Sequence, residues 1–549
     1  MPARIGYHSD TMSDETALLR AITADAGDDT PRLVYADWLD EHDAPIQAEF
    51  IRTQCRLAAG SAADADYPDL LERHAELVAQ FALAAKLTAP ELPPGFTHQS
   101  DIRHDADHFR RGFLHTAAGE WSEVSYFFQP APTDEQIDRV CDGLAALAAT
   151  TVRNLVLGGM TPDALARLLV APGAAALTGL AIQQAGFVYT TDDGDALIRT
   201  LARAKSVANL ERLKLHFAAS VAGLGVLTGA KLDRLRALDF PPLHGNAADV
   251  PALARAGWFR GLREVRAANM ERPLQEPLLT ALAGLPHLEA LDLWFNYPTA
   301  YKAFTAAGGF PALAKLKCGG LNVAAAKLTR GKFPRLAELA AGQLRPDSFR
   351  LLLGAKWLPQ LRVLDVSDGS LTDPSIGALA KSAAAANLRI LRVGRNRFAK
   401  AGLLALTDGA RFPSLTTLDV RAGYTQARPD TLARFAAELN LPNLRHLHLD
   451  RWPLGDAGAK ALAANPSLAN LTRLSVSGCA IGERGFTALV RSPHLQRLIE
   501  LDAGTNNLKK ANALLDTALL PKLAALGLNG NPLTPAARAA LHRARGWIA

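Results

Sequence analysis

The chain has 549 residues, 49% hydrophobic and 21% charged, which is too long for one ordinary core and too apolar for a disordered chain. Aromatics make up only 6%, so Leu, Ala and Val must supply most of the core, in many small layers or one elongated one. Net charge is +6 and uneven, with 5 Lys and Arg against 11 Asp and Glu in residues 1–60; over so long a chain this does not by itself indicate nucleic acid.

The N-terminus, MPARIGYHSDT, has no apolar segment of the kind a secretory leader carries, and no stretch reaches the roughly 20 apolar residues of a membrane helix. Cys55, Cys141, Cys318 and Cys479 are scattered, with no CxxC and no zinc spacing, which suits a reducing cytoplasm better than a disulfide framework. Residues 1–13 are expected to be a disordered extension, with Met12 an alternative start. Residues 14–58 predict three short helices. The first holds Ala17, Leu18, Leu19 and Ile22. The second opens at Thr30-Pro31 and holds Leu33, Val34, Trp38 and Leu39. The third holds Phe50, Ile51 and Leu57.

Residues 67–88 predict one amphipathic helix, ended by ELPPG at Glu91–Gly95, within a helical linker and cap spanning 59–129. FRRGFLHTA at Phe109–Ala117 predicts an irregular first strand. From residue 130 to 549 one phrase then dominates, Leu-x-x-Leu-x-Leu. It starts at Val152, Leu177, Leu210, Leu235, Leu262, Leu288, Leu313, Leu336, Leu361, Leu388, Leu415, Leu444, Leu471, Leu498 and Leu523. Its last two apolar positions are two apart and point to one side of a short strand. Asn296, Asn396, Asn506 and Asn531 come just after several of these strands, where a side chain can satisfy backbone groups at the bend.

The segments between copies predict helices, with cap-plus-proline starts at Thr161-Pro162, Asp373-Pro374 and Thr534-Pro535. Two copies depart from the pattern. Ala267 replaces a Leu, and the long segment from Leu177 to Leu210 predicts a loop insertion with Thr190, Thr191, Asp192, Asp193 and Gly194 at its tip. At the C-terminus, Thr534 to Arg545 with Trp547 and Ile548 is expected to cover the last repeat.

About fifteen copies, mostly 23–29 residues apart, have the spacing of leucine-rich repeats. The helix-bearing copies near 27 residues resemble the ribonuclease-inhibitor-like subclass. That resemblance implies an α/β solenoid, a horseshoe with parallel strands on its concave face and helices on its convex face, preceded by a small all-α module. The N-terminal string LLRAITADAGDDTPRLVYADWLDEHDAPIQAEFIRTQCRLA resembles the bacterial repeat-companion domain, through Asp28, Asp29, Pro31, Arg32, Leu33, Tyr35, Ala36, Asp37, Trp38, Leu39, Ala48, Glu49, Phe50, Ile51 and Arg52. Arg110–Phe113 resembles the segment C-terminal to that module in such proteins. This resemblance supplies architecture and no mechanism.

Signs of chemistry are weak. His98, His104, Asp105 and His108 place two histidines four apart, as in HExxH metalloproteases, but the Glu that would serve as base is absent. Asp37 and Trp38 with Glu49 and Arg52 read as a mini-core anchor and helix-surface ion pairs, with Arg32 or Arg52 pairing Asp37 or Glu49. Cys318 reads as core and Cys479 as a strand-end thiol. There is no P-loop, GxGxxG, GxSxG or kinase set. No enzyme, cofactor or metal is expected.

Binding residues are located by the phrase: its third and fifth positions and the two residues after it should line the concave face. Partner contact is therefore expected at Lys214, His216, Phe217, Arg266, Asp292, Trp294, Phe295, Lys317, Arg392, Arg421, His446, His448, Arg451 and Trp452, with Glu264, Asn269, Lys315, Asp365, Arg395, Asp419 and Asp450 on the same face. Trp294, Phe295 and Trp452 stand out as hot-spot residues, since interface energy concentrates in Trp, Tyr and Arg. The expected partner is a protein. Nucleic acid is the alternative, through Lys214, Arg266, Lys315, Lys317, Arg392, Arg395 and Arg421, and the interleaved Asp292, Asp365 and Asp419 oppose it.

Overall fold

The computed structural model describes residues 10–24, 28–85, 92–97, 109–110, 113–114, 116–119, 131–148, 150, 152–183, 190–268, 270–294, 298–305, 309–319, 322, 325–423 and 427–545. The chain divides into two compact units, residues 1–295 and residues 296–549.

The first unit opens with four helices: α1 (Asp10–Ala24), α2 (Thr30–Glu41), α3 (Pro45–Ala59) and α4 (Tyr67–Ala85). Ile22, Tyr35, Ala36, Leu39, Ala48, Ile51 and Cys55 form their core, with Trp38 packed at its margin. Leu33 and Val34 are 41% and 48% exposed, so the buried side of α2 is carried by Tyr35, Ala36 and Leu39. The ion pairs resolve the alternatives left open by the sequence. Arg52 bonds Asp37 at 2.5 Å and Asp40 at 2.7 Å, while Glu49 turns to Arg73 on α4. Phe50 and Leu77 pack together, and Phe50 stacks on His74. Helix α4 thus lies against α3.

Strand β1 (Phe96–Thr97) pairs antiparallel with β4 (Thr116–Gly119), and β2 (Phe109–Arg110) pairs with β3 (Phe113–Leu114). The first solenoid strand is therefore Thr116–Gly119. Parallel strands come next: β5 (Asn154–Gly158), β6 (Gly179–Gln183), β7 (Arg212–His216), β9 (Ala237–Phe240), β11 (Glu264–Ala268) and β12 (Ala290–Trp294). Between them β8 (Ala219–Ser220) and β10 (Leu243–His244) form a separate parallel pair. In the second unit the strands are β13 (Lys315–Gly319), β14 (Glu338–Ala340), β15 (Val363–Asp365), β16 (Ile390–Arg392), β17 (Thr417–Asp419), β18 (His446–His448), β19 (Arg473–Ser475), β20 (Glu500–Asp502) and β21 (Ala525–Gly527). Every copy of the phrase thus yields a strand that begins at its third residue.

The register is uniform. Leu155, Leu180, Leu213, Leu238, Val265 and Leu291 form one inward row in the first unit. Leu316, Leu339, Leu364, Leu391, Leu418, Leu447, Leu474 and Leu501 form the same row in the second. Each of these is at most 3% exposed, and burying one such side chain contributes about 1.5–3 kcal/mol. Helices pack behind the strands, so each unit is a stack of strand–helix repeats, an α/β solenoid fold. The few aromatics are concentrated in this core. Phe304, Phe310, Phe333 and Trp357 form a chain of ring contacts through successive repeats, with centroids 5.4–6.0 Å apart.

After several strands of the second unit the bend is built by a side chain three residues past the phrase. The Asn396 amide donates to the carbonyls of Val366 and Val393 and accepts from Leu371 N–H. Asn506 and Asn531 repeat this, each bonding the carbonyl of the preceding repeat and two backbone amides. Cys479 fills the same position and its thiol donates to the Leu449 carbonyl. The residue before this position takes positive φ in repeat after repeat, at Asp368 (58°), Arg395 (55°), Arg451 (65°), Gly478 (67°) and Thr505 (51°). The side-chain bonds at the bend hold that backbone, which is otherwise costly for a residue with a Cβ. Asn296 lies outside the described residues.

The helix starts are partly as expected. Thr161 and Thr534 cap their helices. At Asp373-Pro374 the cap is Thr372, with Ser375 closing the box. Asp373 instead reaches the next repeat, where its carboxylate accepts from the N–H groups of Ala399 and Gly402. The expected insertion tip is a helix start: Thr190 and Asp193 form a capping box on the helix Thr191–Arg203. Ala267 is fully buried in the row that Ala341 and Ala503 share and where most repeats carry a larger side chain. The last helix, Pro535–Arg545, buries Leu541; Trp547 and Ile548 lie outside the described residues. No described helix is long and apolar enough to cross a membrane.

Candidate functional site

Residues that point away from the core on the strands form one face in each unit. On the first unit, Lys214, Asp239, Arg266 and Asp292 stand side by side on β7, β9, β11 and β12. Asp239, only 9% exposed, gathers two neighbours. Its carboxylate meets His216 Nε2 at 2.8 Å and the Arg266 guanidinium at 3.7 Å. Arg266 also reaches Asp292 at 3.7 Å, and Arg212 pairs with Glu264 at 3.1 Å. Lys214 is exposed at one end of this row. Trp294 closes the other end, 43% exposed and in register with Ala268. Trp and Arg are residue types enriched at interface centres, and a charged row beside them has the composition of an interface rim. Arg212 and Asp239 occupy the third and fifth phrase positions, so the positional rule locates both, although neither has the aromatic or clustered-base signature that draws attention in a sequence.

On the second unit, Lys315 pairs with Glu338 at 3.2 Å, and Lys317 is exposed. The next row runs Asp365, Arg392, Asp419, His448, Ser475 and Asp502 across β15 to β20. Asp419 is 3% exposed, and Arg421 clasps it through Nε and an Nη at 2.6–3.0 Å, which holds the guanidinium charged. The Ser475 hydroxyl donates to Asp450, and Arg473 pairs with Glu500 at 2.6 Å. Burial lowers the pKa of His448, against the opposing pull of Asp419. Burial also raises Asp502, with Asp450 adding repulsion, while Gly504 N–H works the other way. These carboxylates serve the fold as well, because Asp365, Asp419 and Asp502 each accept from the N–H two residues on.

Three expected contact residues are buried. Trp452 is 1% exposed: it stands at the bend position filled elsewhere by Asn and Cys, and its indole N–H donates to the Val420 carbonyl at 2.6 Å. Phe217 is 4% and His446 3% exposed. His446 continues a row in which Val363, Ile390 and Thr417 are also buried, and its Nδ1 lies 3.3 Å from the Thr417 hydroxyl. None of the three offers contact surface. Arg451 and Arg395 are exposed at the left-handed bends, and Arg395 pairs with Asp368. Phe295 and Asn269 lie outside the described residues, as do His98, His104, Asp105 and His108.

Among the described residues no group of three His, Cys, Asp or Glu could hold a metal ion. All four cysteines are free thiols. Burial pushes the Cys479 thiol up to about 12, and burial raises Cys141, the reverse of what a nucleophilic thiol needs.

The two units differ sharply in charge. Residues 1–295 hold 26 Lys and Arg against 39 Asp and Glu, while residues 296–549 hold 34 against 15. The net charges are −13 and +19, so the overall +6 conceals a division along the chain.

A family model described as Leucine Rich repeat matches residues 440–463 and 467–490. No curated protein matches the sequence. Among solved structures, an internalin from Listeria monocytogenes is similar at 14% identity and a TM-score of 0.32, covering 72% of this chain and 97% of its own. A leucine-rich-repeat protein of Leptospira interrogans is similar at 14% identity and a TM-score of 0.29, covering 78% of this chain and 94% of its own. A chain from the yeast Rad7 and Elc1 complex is similar at 15% identity and a TM-score of 0.37, covering 76% and 86%.

Proposed function

We propose that this chain is a non-enzymatic interaction scaffold that binds a partner protein on the outward strand face of its first unit. The observation that supports this best is Trp294, a solvent-facing ring beside the Asp292–Arg266–Asp239–His216 row. Stacked repeats offer extended surfaces with side chains at fixed spacing, and a row already ion-paired loses little freedom on binding. Lys214, His216, Arg266, Asp292 and Trp294 are the contact residues on the first unit, and Lys317, Arg392, Arg421, His448 and Arg451 are the contact residues proposed for the second unit's own strand face. The four N-terminal helices are read as a repeat-companion module, the repeats as the ribonuclease-inhibitor-like subclass, and the setting as a bacterial cytoplasm.

The test is affinity capture from lysate of the source cells, comparing wild type with Trp294→Ala/Arg266→Ala. Both positions are exposed, so the variant should keep the wild-type melting temperature. Loss of a captured protein in the folded variant is the expected result. A protein retained equally by both would move the site off this face.

A further inference from the structure

Of the +19 of the second unit, +8 falls in five short segments. Its acidic residues are largely used by strands and helix starts: Asp365, Asp419 and Asp502 hold strand ends, while Asp373 and Asp456 cap the helix of the next repeat. The segments that lead from each helix back to the next strand hold few carboxylates, and Asp408 and Asp516 each accept from the N–H two residues on. In five of them, residues 330–337, 354–362, 381–389, 407–416 and 439–445, there are nine Lys and Arg and one acid, Asp408, which pairs with Arg411. Backbone bonds set these segments side by side. Arg362 N–H donates to Ala337, Arg389 to Arg362, Thr416 to Arg389 and Arg445 to Thr416, each at 2.8–2.9 Å. One edge of the unit therefore carries a basic strip, in which Arg362 and Arg389 stand one strand step of about 4.8 Å apart. Arg335, Lys356, Lys381 and Arg445 are exposed on it.

We propose that this strip is a second docking surface, and that its occupant is an acidic segment of a partner protein. A like-signed strip of this length focuses potential and attracts an extended chain of opposite charge. Two features favour an acidic protein segment over nucleic acid. Among the described residues of this unit, the exposed large apolar side chains are Leu351 and Leu515, so no ring is presented for bases to stack on. The adjoining strand face bears Asp365 and Asp450, which disfavour a phosphate backbone wide enough to overhang the strip and leave room for a narrow peptide along the edge. The proposal extends the scaffold reading to another surface of the same chain.

The probe is a fluorescein-labelled peptide of about 20 residues rich in Glu and Asp, titrated with the full chain at low salt and followed by anisotropy. The variant R335E/K356E/K381E/R445E reverses four exposed strip charges. A charge-matched control, R397E/K400E/R428E/K509E, reverses four exposed charges on the strand-to-helix side of the same unit. Strip reversal is expected to weaken peptide binding by about tenfold or more, and control reversal by no more than about threefold. Equal losses in both would reduce the effect to net charge and overturn the strip. A duplex of about 20 base pairs that binds more tightly than the peptide at matched salt would replace the acidic segment with nucleic acid. Trp294→Ala/Arg266→Ala should leave peptide affinity unchanged, so this result and the capture result succeed or fail separately.

Discussion

Trp452 has the residue type of a hot spot and the position of a bend residue, and position decides its role. Its indole fills the site that Asn396, Asn506 and Asn531 fill with an amide, so Trp452→Ala both opens a cavity and leaves the Val420 carbonyl without its donor. The expected loss is about 3–5 kcal/mol by chemical denaturation, with partner capture by the residual folded protein unchanged. Asn396→Ala should cost about 1–3 kcal/mol, because its carbonyl partners and Leu371 N–H lose their bonds while buried. His448 gives a pH dependence of defined sign. Burial holds its imidazole pKa below the ordinary value, so the unfolded chain takes up the proton more readily than the folded one. Stability is then full above the unfolded pKa of about 6.5 and declines as pH falls towards the folded pKa. A melting series in buffers below neutral pH should show a shallower decline for His448→Gln than for wild type. An identical decline would remove His448 from the account. Cys479, buried with its thiol raised, should resist alkylation in the native protein near pH 8 and react after denaturation.

At the level of elements, the repeats cooperate through their helix starts. Asp456 lies in the first turn of Gly455–Ala464, yet its carboxylate accepts from the N–H groups of Gly482 and Gly485 at the start of the next helix, as Asp373 does earlier in the chain. Asp456→Ala should destabilise by about 1–2 kcal/mol and speed hydrogen exchange at Gly482 and Gly485 more than within its own helix. Exchange accelerated only in Gly455–Ala464 would contradict cross-repeat capping. The strands were legible from the phrase alone, because a period-two apolar pair after a leading Leu has one way to bury itself in a stack. The helix starts were less so. Asp-Pro reads as a cap and proves to be a brace for the neighbour, and Thr190 to Gly194 reads as a loop tip and proves to be a capping box. Both depend on what lies one repeat away. The packing of α4 on α3 likewise turns on Arg73 choosing Glu49, a pairing 24 residues distant.

For the molecule as a whole, the outward strand face was legible where position in the phrase governed it, as at Lys214, Arg266, Asp292 and Trp294. The rule failed at Phe217 and His446, which are buried, and Trp452 lies one residue beyond the rule's reach, at the buried bend position. The division of charge at residue 295 was hidden because composition was summed over a chain whose halves have opposite sign. Whether the strand face of the first unit meets a protein is decided by site-specific photocrosslinking. A benzophenone amino acid at position 294 is compared with the same group at Leu351, a 52% exposed side chain on a helix of the second unit. Irradiation of source cells should give a discrete higher-mass protein adduct from position 294 and none from position 351. Adducts from position 351 with none from position 294 would place binding on the helices and contradict the account.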